Sequence, residues 1–313
     1  MARRLRFIPD GGALVEVTCR TIQGRYLLKP SAEMRSITIG VLARAGRLYD
    51  IDLHAFVFLS NHYHLLLSAR DAKQLARFMN YLNSNLAREA GRLHDWKERF
   101  WGRRYQAIVI SGEESAQNAR LRYLLRHGCK EGLVRSPDQW PGAHSVCALV
   151  EGQAIQGVWF DRTRECAARA RRATKDPFEF ASTETLELEP LPCWRHLSEP
   201  ERRGLVTELV RDIRRETKRK HVANGTRPMG LRAILALDPH EKPRKLKRGS
   251  APLFHVVSKA ARLALVQAYR SFVTAYREAA RSLREGNRLA SFPVGSFPPG
   301  LAFVTEAGDF QPD

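Results

Sequence analysis

The run HAFVFLSNHYHLLLS at residues 54–68 constrains the fold of this chain more than any other stretch. It is rich in aromatic and apolar residues and is interrupted only by Leu59, Ser60 and Asn61, so it reads as two strands joined by a tight connection. A chain with such a hairpin has to build a sheet around it. Side chains alternate along a strand, which puts His62 and His64 on one face and Tyr63 on the other. Two imidazoles on one face of a strand can hold one metal ion. If they do, the rest of the chain must supply a third ligand, a substrate site and a nucleophile.

The flanking segments supply the rest of an α+β domain. Residues 13–19 (ALVEVTC) alternate and are β-branched, the pattern of a first strand. Ser31 is placed as the N-cap of a helix running through Leu48, with Met34, Ile37, Val41, Leu42, Ala45 and Leu48 at helical spacing. After the hairpin, Leu75, Phe78, Met79, Leu82 and Leu86 share one face of a second helix. Residues 105–110 (YQAIVI) read as a fourth strand, and residues 113–126 as a third helix with Gly128 capping its end. The order βαββαβα is the split βαβ, or ferredoxin-like (RRM-like), pattern: an antiparallel sheet with helices on one face. Many unrelated proteins use it, so function has to be argued from a site.

Charge narrows the partner. The 313 residues carry 52 Lys and Arg against 33 acidic residues, a formal net charge of +19. That excess points first to nucleic acid and second to an anionic membrane surface. There is no apolar stretch of about 18 residues, so no membrane span is expected, and the basic start MARRLRFIPDGG lacks the apolar core of a secretory signal. The five cysteines, Cys19, Cys129, Cys147, Cys166 and Cys193, are odd in number and none form C-x-x-C. This argues against a zinc ribbon or a disulfide framework and fits a reducing cytoplasm.

The length fits about two domains, and the pattern changes near residue 150. Residues 1–150 hold the αβ pattern and residues 151–200 read as a loosely structured connector. Residues 201–313 form a basic, mainly helical region. It contains a basic amphipathic helix at 201–220, a basic run at 242–248 (KPRKLKR) and a long helix at 260–283 with Leu263, Val266, Tyr269, Val273 and Tyr276 near one stripe. The proline-rich end, SFPVGSFPPGLAFV, reads as extended.

The third helix bears Tyr123 and His127, four residues apart and therefore on one face. With His62 and His64 they make a three-histidine site beside a phenol, an arrangement suited to phosphoryl transfer through a covalent tyrosine intermediate. Each part also has a plainer reading. An isolated H-x-H arises by chance in a histidine-containing chain, a helical tyrosine often only packs, and a histidine near a helix C-terminus favours the helix dipole.

Four stretches resemble the HUH single-tyrosine transposases, and most of all the REP-associated tyrosine transposases and their IS200-like relatives. They are GALVEVTCRTIQGRYLL (12–28), FVFLSNHYHLLLS (56–68), RFWGRRY (99–105) and LRYLLRHGCKEGLV (121–134), so the likeness spans roughly residues 10–150. The resemblance implies that His62 and His64 are metal ligands and Tyr123 the nucleophile. His127 stands where the family often has an amide side chain, and would complete the site as a third ligand. The cofactor implied is a divalent ion, Mg²⁺ or Mn²⁺. The reaction implied is cleavage and rejoining of hairpin-containing single-stranded DNA through a 5′-phosphotyrosine link, with a free 3′-hydroxyl. Such relatives act as monomers or as homodimers that exchange tyrosine helices. A sheet with exposed aromatics would bind the strand, with Lys97, Arg99, Arg103, Arg104, Arg120, Arg122 and Arg126 as candidate nucleic-acid contacts. The alternative is a binding module for hairpin DNA or RNA that has lost strand transfer.

Overall fold

The computed structural model describes residues 5–171, 176, 178–243 and 252–300. Its centre is a mostly antiparallel sheet of five strands: β1 (Ala13–Arg20), β2 (Asp52–Phe58), β3 (His62–Ala69), β4 (Gln106–Ile110) and a two-residue strand, Phe254–His255, from the C-terminal region. The order across the sheet is β2-β3-β1-β4, with Phe254–His255 added in parallel at the β4 edge. Three helices accompany the first four strands: α1 (Ala32–Tyr49), α2 (Ala72–Leu93) and α3 (Glu114–Leu125).

Local chemistry sets the helix starts. The Ser31 hydroxyl accepts from the Met34 amide at 3.0 Å to cap α1, and Asp71 accepts from the Lys73 and Gln74 amides to cap α2. Along α2, Leu75, Phe78, Met79, Leu82 and Leu86 are all buried as their spacing predicts. Burying each such side chain contributes about 1.5–3 kcal/mol.

Strand alternation then divides the core in two. Val15, Val17 and Cys19 of β1, with Tyr63, Leu65 and Leu67 of β3, face α1 and α2. Leu14 and Leu66 face the other way, against Leu121, Leu124 and Leu125 of α3. The helices therefore do not all lie on one face of the sheet, as the sequence pattern had implied. Both faces of the hairpin are apolar, Ala55, Val57 and Leu66 against Phe56, Phe58 and Leu65, so each face needs its own cover. The sheet's own aromatics, Phe56, Phe58 and Tyr63, are buried under the first two helices, which leaves no exposed aromatic platform on those strands.

The third helix spans nearly the residues read from the sequence, but His127 does not lie on it. It ends at Leu125, Arg126 turns the chain (φ −76°, ψ 0°), and α4 (His127–Lys130) follows. Gly128 lies inside α4 and does not cap α3.

Beyond α5 (Val146–Glu151) the chain is better ordered than a connector. Strands β5 (Ile155–Phe160) and β6 (Ala181–Leu186) form an antiparallel pair flanking α6 (Arg162–Ala170). The pair packs on α1 through two glycines. A Cβ on Gly40 would sit 2.3 Å from the Val158 carbonyl, and one on Gly157 would sit 2.3 Å from the Gly40 nitrogen. Arg44 clamps the contact, pairing with Glu184 at 2.6 Å and stacking 3.7 Å over Trp159. The weak hydrophobic periodicity of this stretch hides it in the sequence, because backbone-to-backbone approach carries much of the packing.

The basic helix becomes α7 (Glu199–Ala223), begun by a Ser198–Glu201 capping box and followed by α8 (Leu231–Leu235). Phe254–His255, the fifth strand, is β6's successor β7, and the last helix is α9 (Lys259–Arg284). Of the stripe read along α9, Val266, Tyr269, Val273 and Tyr276 are half-buried, whereas Leu263 is 60% exposed. The basic run at 242–248 lies outside the described residues from 244 on, as does the C-terminal stretch from 301.

Candidate metal and nucleophile site

The α3 face of the sheet carries an unusual load of buried polar side chains. Buried Glu16, half-buried Thr18 and exposed Arg20 of β1 alternate on that face, and β3 sets His64 opposite Thr18 and His62 opposite Arg20. His64 is 6% exposed, His127 2% and Glu16 2%, whereas His62 is half-buried. Such groups are costly to bury unless they are paired or hold a ligand.

The three histidines converge. Their ligand-capable nitrogens all lie within 4.8 Å of one another. The Nε2 atoms of His62 and His127 are 2.8 Å apart. Two ligands at right angles about an ion roughly 2.1 Å from each are separated by about 3 Å, so this spacing suits a hard divalent ion.

Neighbours turn two of the imidazoles toward the same point. Asn61 donates its amide to the Gly24 carbonyl at 2.9 Å, which leaves its oxygen to accept from Nδ1 of His62 at 2.7 Å. His64 uses Nδ1 on the Glu16 carboxylate at 2.8 Å. In both rings Nε2 is then left with its lone pair, the form a metal needs. Burial, and then the nearby His64, His62 and Lys130, hold His127 far below the ordinary imidazole range, so it is neutral. Its Nδ1 is buried without a partner. Burial would raise the Glu16 carboxyl, but the hydrogen bond from His64 and the charge and hydrogen bond of Arg120 outweigh it and leave the carboxyl below its usual value.

His54, in the same run, is the contrast. Its ring nitrogens meet the Glu189 carbonyl at 3.0 Å and the Ser68 hydroxyl at 2.7 Å. It is a satisfied core histidine with nothing left to offer a ligand.

Tyr123 stands beside the cluster despite the turn at Arg126. Its ring centroid is 5.3 Å from that of His127 and 5.7 Å from that of His64. Lys130 reaches back from α4 and donates to the Tyr123 oxygen at 3.2 Å. The Arg120 guanidinium lies 4.2 Å over the ring.

The basic residues named from the sequence divide into two groups. Lys97, Arg99, Arg103 and Arg104 are exposed. They belong to the segment docked on the end of β1, where Ile22 donates to Phe100 at 2.7 Å and Gly102 donates to Arg20 at 2.9 Å. That is the end of the sheet that carries His62. By contrast Arg120 pairs with Glu16, Arg122 pairs with Glu216 of α7 at 2.5 Å, and Arg126 has its Nε buried. Arg120 is thus engaged with a buried carboxylate, whereas the Arg122 pair is partly exposed. Glu16 and Lys130 were missed in the sequence. A carboxylate in the apolar alternation of β1, on the face its register shares with His64, was the available signal for Glu16.

The family described as Transposase IS200-like matches residues 23–124. That stretch, about a third of the chain, is similar to the IS200-like transposase family. The match takes in His62, His64 and Tyr123 and ends just before His127, while Glu16 and Lys130 lie outside it. The IS200-like segment covers the sheet's hairpin, α1, α2 and nearly all of α3, and the C-terminal half of the chain is outside it. No curated protein matches the chain. Among solved structures, a REP-associated tyrosine transposase bound to a REP hairpin is 15% identical over 48% of this chain and 86% of its own, with a TM-score of 0.39. A protein of Deinococcus radiodurans R1 assigned as a transposase is 17% identical over 39% of this chain and 95% of its own, with a TM-score of 0.28. Among the described residues no helix is long and apolar enough to cross a membrane.

Proposed function

We propose that residues 1–150 form an α+β catalytic domain that cleaves and rejoins hairpin-containing single-stranded DNA, with Tyr123 as nucleophile and His62, His64 and His127 as ligands of a divalent ion. The observation that carries this reading is the convergence of three histidines within 4.8 Å beside a tyrosine whose oxygen already receives a lysine.

The chemistry follows from the placement of these groups. The Tyr123 oxygen attacks phosphorus, the bond to the 3′ oxygen breaks, and the fragment downstream of the cut stays on the tyrosine through its 5′ phosphate as a phosphodiester. The leaving oxygen takes a proton and becomes the free 3′-hydroxyl, and the phenol proton passes to solvent. Rejoining is the reverse, with a 3′-hydroxyl attacking the phosphotyrosine. A bound Mg²⁺ or Mn²⁺ would polarise the phosphoryl oxygens and offset their developing charge. Lys130 is placed to hold the phosphate beside the phenol, and Asn61 and Glu16 keep the ligand rings oriented. The exposed Lys97, Arg99, Arg103 and Arg104 would track the backbone past the His62 end of the sheet. The exposed Arg214, Lys218, Arg219 and Lys220 of α7, a helix joined to α3 through Glu216, would lengthen the footprint.

The test is a cleavage assay on a panel of labelled single-stranded hairpins. This reading expects product with a free 3′-hydroxyl in Mn²⁺ or Mg²⁺, none with chelator, and none with Tyr123→Phe. Tight hairpin binding without cleavage in any metal would replace it with the binding-module alternative.

A further inference from the structure

One buried carboxylate touches both halves of the candidate site. Glu16 accepts from Nδ1 of His64 with one oxygen, at 2.8 Å, and from the Arg120 guanidinium with the other. The same guanidinium stacks 4.2 Å over the Tyr123 ring. Glu16 is 2% exposed and the Arg120 side chain 15% exposed, so neither has water as a ready substitute partner.

We propose that Glu16 is the positioning residue that couples metal ligand to nucleophile: it fixes His64 as the Nδ1–H tautomer and, through Arg120, fixes the ring of Tyr123. This rests on the function proposed above. A carboxylate suits the task because it is acceptor-only at both oxygens, and here both are used by donors from different elements. β1 supplies Glu16 from the strand adjacent to His64, and α3 supplies Arg120 one turn before Tyr123, so a single side chain registers the helix against the sheet at the reacting end. An amide cannot do this. Glutamine presents one acceptor and one donor, so either His64 or Arg120 would meet an N–H. Glu16 is not itself in the ligand cluster, since its oxygen occupies the side of His64 opposite Nε2.

Two measurements test it on the full chain. Long-range ¹H–¹⁵N NMR of the wild-type protein without metal should show His64 protonated at Nδ1, and protonation at Nε2 would overturn the proposal. Calorimetric titration with Mn²⁺ in the absence of DNA should show Glu16→Gln binding about 10–100-fold more weakly than wild type, the usual loss when an outer-shell partner of a ligating histidine is removed. Adding Glu16→Gln to His64→Ala should produce no further loss, because the effect acts through His64. At saturating Mn²⁺, Glu16→Ala, which frees both His64 and Arg120, should still cleave about tenfold more slowly than wild type. Equal Mn²⁺ affinity in Glu16→Gln and wild type would overturn the proposal alone, and full recovery of cleavage at saturating Mn²⁺ would overturn its tyrosine half. A wild-type protein that binds no Mn²⁺ would overturn both the proposal and the metal-dependent function beneath it.

Discussion

His62 and His127 are 65 residues apart in the chain, and their Nε2 atoms are 2.8 Å apart in the fold. One comes from the start of β3 and the other from the first turn of α4. Neutral imidazoles at that distance need a proton or a cation between them, and the 4.8 Å convergence with His64 favours the cation.

If the three histidines share an ion, His62→Ala and His127→Ala should each weaken Mn²⁺ binding by more than the roughly 10–100-fold typical of an outer-shell partner. Calorimetry measures it, with circular dichroism to establish that the sheet and helices persist. Undiminished affinity in either variant removes that residue from the ligand set.

Lys130 is exposed and bonds the Tyr123 oxygen at 3.2 Å, so its replacement leaves the core alone. Lys130→Gln should slow single-turnover cleavage by about 10–100-fold, less than the 10²–10³ of a desolvated donor because water reaches this one. Mn²⁺ affinity should stay within error of wild type. An unchanged rate would confine Lys130 to a surface role.

Gly40 lets β5 lie directly on α1. Gly40→Ala places a methyl 2.3 Å from the Val158 backbone, where no flexible side chain can yield. The expected cost is about 3 kcal/mol or more, the upper end for overpacking. A denaturant titration reads it, and an unshifted midpoint would mean that the β5–β6 pair can lift from α1 at little cost.

Glu113 ties α9 to the end of β4. It accepts from the Ser111 hydroxyl at 2.6 Å and from the Val257 and Ser258 amides at 2.9 Å. The Ser111 hydroxyl first, then those amides, lower its carboxyl to about 2 from 4.5. Its folded value lies below its unfolded value, so its stabilising effect is complete above pH 4.5 and is lost as the pH falls toward 2. Amide exchange at residues 259–262 should become less protected between pH 4.5 and 2.5. Glu113→Gln should remove that pH dependence, and an identical profile in both proteins would show that this contact does not govern docking of α9.

Much of the domain is legible in the sequence because its signals are local. Ser31, the α2 stripe and the aromatic and apolar run at residues 54–68 each specify structure through neighbours within a few positions. The orientation of α3 was not legible, because a strand run apolar on both faces does not say which face a given helix covers. That His127 opens a separate short helix was equally hidden, since Gly128 reads as a cap and no proline marks the turn. The β5–β6 pair escaped because Gly40 and Gly157 pack by lacking side chains. In the site, His62, His64 and Tyr123 carry motif spacing, whereas Glu16 gains its meaning only from its register with His64, and Lys130 only from the turn that folds α4 back on Tyr123.

The central claim is tested most directly by mass spectrometry of the protein after incubation with a labelled single-stranded hairpin DNA and Mn²⁺. The account predicts a 5′-phosphotyrosyl adduct on Tyr123 that disappears with chelator and in Tyr123→Phe. An adduct that persists in Tyr123→Phe, or hairpins bound tightly with no adduct across a broad panel, would contradict it.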